Sequence, residues 1–137
     1  MIAAMFPARM LTSFVMAAIA AVAAVSVQAD VPQADIPASR GTALKHIAYM
    51  YGVVEYCGLN SAEVFDGYLR ETSYVRRRDG ITDPVARWLR IRGLTAADLE
   101  YGDRGLGGYR NWCRTEGLDS ARHFLEFRDQ SLAGEGP

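Results

Sequence analysis

TALKHIAYMYGVVEYCG (residues 42–58) and NSAEVFDGYLRETSYVRRR (residues 60–78) are successive stretches whose apolar side chains recur at helical spacing. In the first, Leu44, Ile47, Ala48, Tyr51 and Val54 form one face and Gly58 suits the stop. A helix is therefore expected to begin at Thr42. In the second, Asn60 with Glu63 three positions on makes a capping-box-like start. Its expected buried stripe is Val64, Phe65, Tyr68, Leu69, Thr72 and Val75. Arg76, Arg77 and Arg78 fall in the last turn, where positive charge meets the negative end of the helix dipole, and Gly80 lies just beyond.

Downstream the same punctuation continues. Asp83 can cap and Pro84 suits a first helical position, because its missing N–H would have no partner there anyway. Val85, Trp88 and Leu89 then predict an apolar face with Trp88 in the core, and Gly93 predicts the stop. Thr95 and Asp98 suggest a short helix through Leu99 to about Tyr101. Gly102, Gly105, Gly107 and Gly108 read as a loop with several positive-φ positions. A helix from Tyr109 to Glu116 would stop at Gly117, and Asp119 would cap a last one carrying Ala121, Phe124, Leu125 and the stem of Arg128. Nothing alternates as a strand does. The expected fold is all-α, a compact bundle of five or six short helices over residues 42–130, with a flexible arm at 30–41 and a flexible tail at 131–137.

Residues 1–29 read as a secretory signal peptide. Arg9 is the only charge in that stretch, an Ala- and Val-rich run follows, and Val27-Gln28-Ala29 supplies small side chains just before Asp30. Cleavage is expected after Ala29, leaving no stable membrane insertion and 137 − 29 = 108 residues, enough for one domain. Retention of the leader would instead give an anchored envelope protein, since about 20 uncharged residues can span a bilayer. The expected compartment is therefore the periplasm or the exterior.

Cys57 and Cys113 are the only cysteines, and both fall after the leader. In an oxidising compartment two cysteines in a small domain pair. A ring of about 57 residues gives on the order of 4 kcal/mol on the chain-entropy estimate.

Removal of Arg9 leaves 15 − 1 = 14 basic against 16 acidic residues. Such near-neutrality argues against nucleic acid as a partner, which needs a basic face to neutralise phosphates. No catalytic constellation, cofactor motif or metal-ligand spacing stands out. His46 and His123 lie far from either cysteine, and the glycine-rich segment lacks the Lys-Ser or Lys-Thr of a phosphate loop.

One segment concentrates the side chains of binding hot spots: Tyr101, Arg104, Tyr109, Arg110, Trp112 and Arg114 surround the glycines and Cys113. Tyr101, Arg104, Tyr109 and Arg110 are the expected partner-binding residues, with Tyr109 and Arg110 foremost; Trp112 beside a disulfide can equally be core. The function expected is that of a small exported accessory, chaperone-like or inhibitor/immunity-type protein that binds another protein and carries no cofactor. The plan is similar only in size and class to small periplasmic chaperones and toxin-immunity proteins, so no residue is carried over. The alternative is a small periplasmic enzyme or ligand-binding module whose pocket only the fold assembles, with Glu55 or His46 inside.

Overall fold

The computed structural model describes residues 38–134, so the leader, most of the expected arm and the last three residues lie outside the described residues. Four α-helices follow in order: α1 (Ala38–Tyr56), α2 (Ala62–Arg78), α3 (Asp83–Trp112) and α4 (Leu118–Ala133), with a π-type turn at Cys113–Gly117 joining the last two. No strand occurs among the described residues. The all-α class therefore stands, with four helices in place of five or six.

Helix α1 begins at Ala38, four residues before Thr42, so the end of the expected arm is helical. Leu44, Ile47, Ala48, Tyr51 and Val54 are buried as their spacing predicts, and Val53 is buried on a second side. Two clusters result. The larger joins Leu44, Ile47, Tyr51 and Val54 to Val64, Tyr68, Val75, Leu89 and Phe124. The smaller joins Val53 to Ala97 and Trp112, with Cys57 and Cys113 at its edge. A helix with partners on both sides is central, and α1 packs principally on α3 while α2 packs on α4.

Ser61, one residue after Asn60, caps α2, its Oγ accepting from the Val64 N–H at 3.3 Å. The buried face of α2 is Val64, Gly67, Tyr68, Glu71 and Val75. Phe65 and Leu69, expected in the stripe, are instead 43% and 44% exposed. The stripe has rotated because Gly67 lets α4 approach: a Cβ there would lie 2.0 Å from the Phe124 carbonyl oxygen.

Helix α3 departs most from expectation. Gly93 is no stop, because it sits inside the helix at the contact with α1, where a Cβ would lie 2.3 Å from the Lys45 carbonyl oxygen. Thr95 and Asp98 are consequently interior, and the expected glycine loop reduces to one break at Gly105, with φ 60° and ψ −175°. Trp88 is 42% exposed with Arg92 over its ring at 5.3 Å. Leu89, Gly93 and Ala97, spaced four apart, are the buried face instead. Gly117 closes the π-type turn and leads straight into α4, so Asp119 lies in that helix's first turn and does not cap it; Gly117 is buried where a Cβ would meet the Cys57 Sγ at 2.8 Å. Helix α4 runs through Ser131 to Ala133, so the expected tail starts as helix, and Gly134 closes it with φ 75°.

Cys57 and Cys113 are bonded, with an S–S distance of 2.03 Å and a Cα–Cα distance of 5.3 Å. The bridge ties the end of α1 to the end of α3.

Candidate functional site

The break at Gly105 builds the candidate site. Residues eight apart on a continuous helix are separated by about 12 Å along its axis. Yet the rings of Tyr101 and Tyr109, eight residues apart, meet edge to face with centroids 6.2 Å apart. The chain turns at Gly105, where a positive φ favours glycine, and the last part of α3 folds back toward the disulfide. On its other side Tyr101 stacks on Tyr56 of α1, with centroids 4.3 Å apart and planes 13° from parallel.

Three tyrosines thus form a ladder at the surface. Tyr56 and Tyr101 are exposed and Tyr109 is half-buried. Tyr56 donates its hydroxyl to Asp98, and that hydrogen bond raises its pKa above the ordinary tyrosine range. At this edge lies a shallow groove of about 480 Å³, lined by Gly52, Glu55, Tyr56, Leu94, Thr95 and Asp98. Arg110, next to Tyr109, is exposed and forms no ion pair among the described residues. The surface therefore presents two carboxylates at the groove and an aromatic strip beside it.

Beneath the ladder runs a polar network. Tyr49 donates to Glu100 and also lies 2.8 Å from Glu116 Oε1; Trp112 donates its indole N–H to Glu116 Oε2 at 2.7 Å. Arg104 pairs with Glu100, reaches Glu116 at 4.0 Å, and lies over the Trp112 ring at 5.1 Å. Burial and the two carboxylates push the Tyr49 hydroxyl far above its ordinary pKa. Hydrogen bonds from Tyr49 and Arg104 hold Glu100 below the usual carboxylate range. Arg104 engages Glu100 Oε1 and Trp112 engages Glu116 Oε2, while the single Tyr49 proton is shared between Glu100 Oε2 and Glu116 Oε1. The network ties α3 and the turn after it to α1.

The expected partner-binding residues thus divide. Tyr101 and Tyr109 are brought together and Arg110 projects, whereas Arg104 is drawn into the network and Trp112, 1% exposed, is core. Tyr56, Asp98, Tyr49, Glu100 and Glu116 escaped sequence reasoning. Tyr56 carried a usable signal: its neighbour Cys57, once paired with Cys113, must bring it close to Tyr109 and Trp112.

Of the alternative pocket residues, Glu55 lines the groove, while His46 is exposed and stacks on Tyr49 at 6.1 Å. His123 Nε2 lies 2.8 Å from Oε2 of Glu71, a residue buried on α2. That hydrogen bond raises the His123 pKa against the opposing effect of burial. Among the described residues no three His, Cys, Asp or Glu side chains are grouped so as to hold a metal ion, and no helix is long and apolar enough to cross a membrane. No protein-family model, curated protein or solved structure matches the chain at a significant level.

Proposed function

We propose that this is a small exported accessory protein, of the chaperone-like or inhibitor type, that binds another protein across the Tyr56–Tyr101–Tyr109 ladder. The observation that carries the reading is the ladder itself, three tyrosines in ring-to-ring contact at the surface beside an exposed Arg110. Tyrosine offers large contact area with few rotatable bonds, and these rings are already held against one another. Little ordering remains for binding to oppose. The groove beside Tyr56 accepts an anchoring side chain, and its Glu55 and Asp98 rim favours a basic one. Arg110 favours a carboxylate on the partner.

The experiment is capture from the exported fraction with wild-type protein and the Y109A/R110A variant, partners being identified by mass spectrometry. The variant is expected to lose a wild-type partner while keeping its helical content and melting temperature. Undiminished capture by the folded variant would reject the ladder as the contact. Export itself is read by intact mass: the reading requires a mature N-terminus at Asp30.

A further inference from the structure

We propose that the cleft between α1, α2 and the start of α3 binds a small phosphate-bearing molecule, with Arg87 and Arg90 as its anion ligands. The cleft has a volume of about 290 Å³, and its polar lining is Tyr68, Thr72, Arg76, Asp83, Arg87 and Arg90. Arg76 is already matched, its Nη1 lying 2.7 Å from Asp83 Oδ1. Arg87 and Arg90 have no carboxylate partner among the described residues. Three residues apart on α3, they project on one face and reach the same opening.

The floor supplies an independent sign. Thr72 Oγ1 is buried in the floor beside the Tyr68 hydroxyl and makes no other hydrogen bond. A hydroxyl has one proton to donate and two lone pairs to accept with, so a ligand oxygen entering from the cleft can take up its unused capacity. Tyr68 beside it is 1% exposed, and burial raises its hydroxyl pKa while Arg90 opposes the rise. The arginine charge is thus already felt at the floor.

Charge and size narrow the class. Three arginines and one aspartate leave 3 − 1 = 2 positive charges around the cleft. A phosphomonoester carries about −1.5 to −2 at neutral pH. Guanidinium forks match phosphate oxygens in pairs. The volume is at the small end for ligand sites, which run from about 300 Å³, so inorganic phosphate or a short phosphomonoester fits and a nucleotide does not. This site is separate from the tyrosine ladder: Arg90 and Tyr101 are about 16 Å apart along α3.

The test is calorimetric titration of the exported protein with inorganic phosphate, glycerol 3-phosphate and succinate at matched ionic strength. Saturable binding of both phosphate compounds is expected, with succinate at least ten-fold weaker. R87Q and R90Q should each weaken phosphate binding several-fold, and the double variant should abolish it, while R110Q leaves it unchanged. The single variants keep the test decisive if the double variant folds poorly. Succinate binding as tightly as phosphate, phosphate affinity unchanged in both single variants, or no heat with wild-type protein would each overturn the proposal.

Discussion

Arg104 and Trp112 meet across the break at Gly105, the guanidinium carbon 5.1 Å from the centre of the indole ring. The contact closes the smaller core over Val53 and Ala97, and the Trp112 N–H is secured by Glu116. The chain's two tryptophans therefore differ sharply in what they hold together.

Trp112→Ala should destabilise by about 3–5 kcal/mol, the range for a large aromatic deleted from a core. Trp88→Ala should change stability by about 1 kcal/mol or less, because the residue is 42% exposed, with Arg92 over its ring. Chemical denaturation of both variants measures the contrast. Equal losses would mean that the helix carrying Trp88 buries a different face.

Opening the Cys57–Cys113 bond by a Cys→Ser change at either position should lower stability by a few kcal/mol, with about 4 kcal/mol as the chain-entropy figure. The bridge lies against the buried Gly117, at the junction of α1, α3 and α4, so its loss also loosens the packing beneath the tyrosine ladder. Thiol titration of the unfolded, unreduced protein should find no free thiol.

What could be read from the sequence was whatever local periodicity controls. The apolar face of α1 and its end near Gly58 needed only spacing and capping, and Pro84 marked the start of α3 to within a residue, although Thr82 stands at the cap and Asp83 is already helical. Glycine was the ambiguous letter. Gly58 and Gly80 occupy positive φ and mark chain reversals, whereas Gly67, Gly93 and Gly117 are where another element comes too close for any side chain. Sequence cannot distinguish these uses, because close approach is a property of the partner helix. Reading Gly93 as a stop divided α3, while the spacing of Trp88 from Val85 placed Trp88 inside. The Tyr49–Glu100–Glu116 network was hidden for the same reason, since its members are 51 and 67 residues apart.

Substitutions to alanine at two of these glycines should move stability in opposite directions. At Gly93 the new Cβ would meet the Lys45 carbonyl oxygen, backbone that cannot rotate away, so Gly93→Ala should destabilise by at least 1–3 kcal/mol, roughly the range for overpacking. Gly102 is helical, and nothing stands within 4 Å of where its Cβ would be. Gly102→Ala should therefore stabilise by about 0.5–1 kcal/mol through helix propensity alone. Paired melting curves settle it; a destabilised Gly102→Ala would imply a contact on that face.

The last prediction concerns pH and the His123–Glu71 pair. Glu71 is a buried acid on α2, and His123 of α4 reaches it with Nε2 2.8 Å from Oε2, so the two helices are joined by a charge-assisted bond when the imidazole is protonated. The hydrogen bond raises the folded pKa of His123 above its unfolded value, near 6.5. The folded state then binds the proton more tightly than the unfolded chain does. The pair's contribution is fully present below the unfolded pKa and is lost as pH rises through the raised folded value. Urea denaturation across that window should show stability falling with increasing pH, and His123→Gln should flatten the dependence by removing the titrating group. An identical pH profile in the variant would place the dependence on another group.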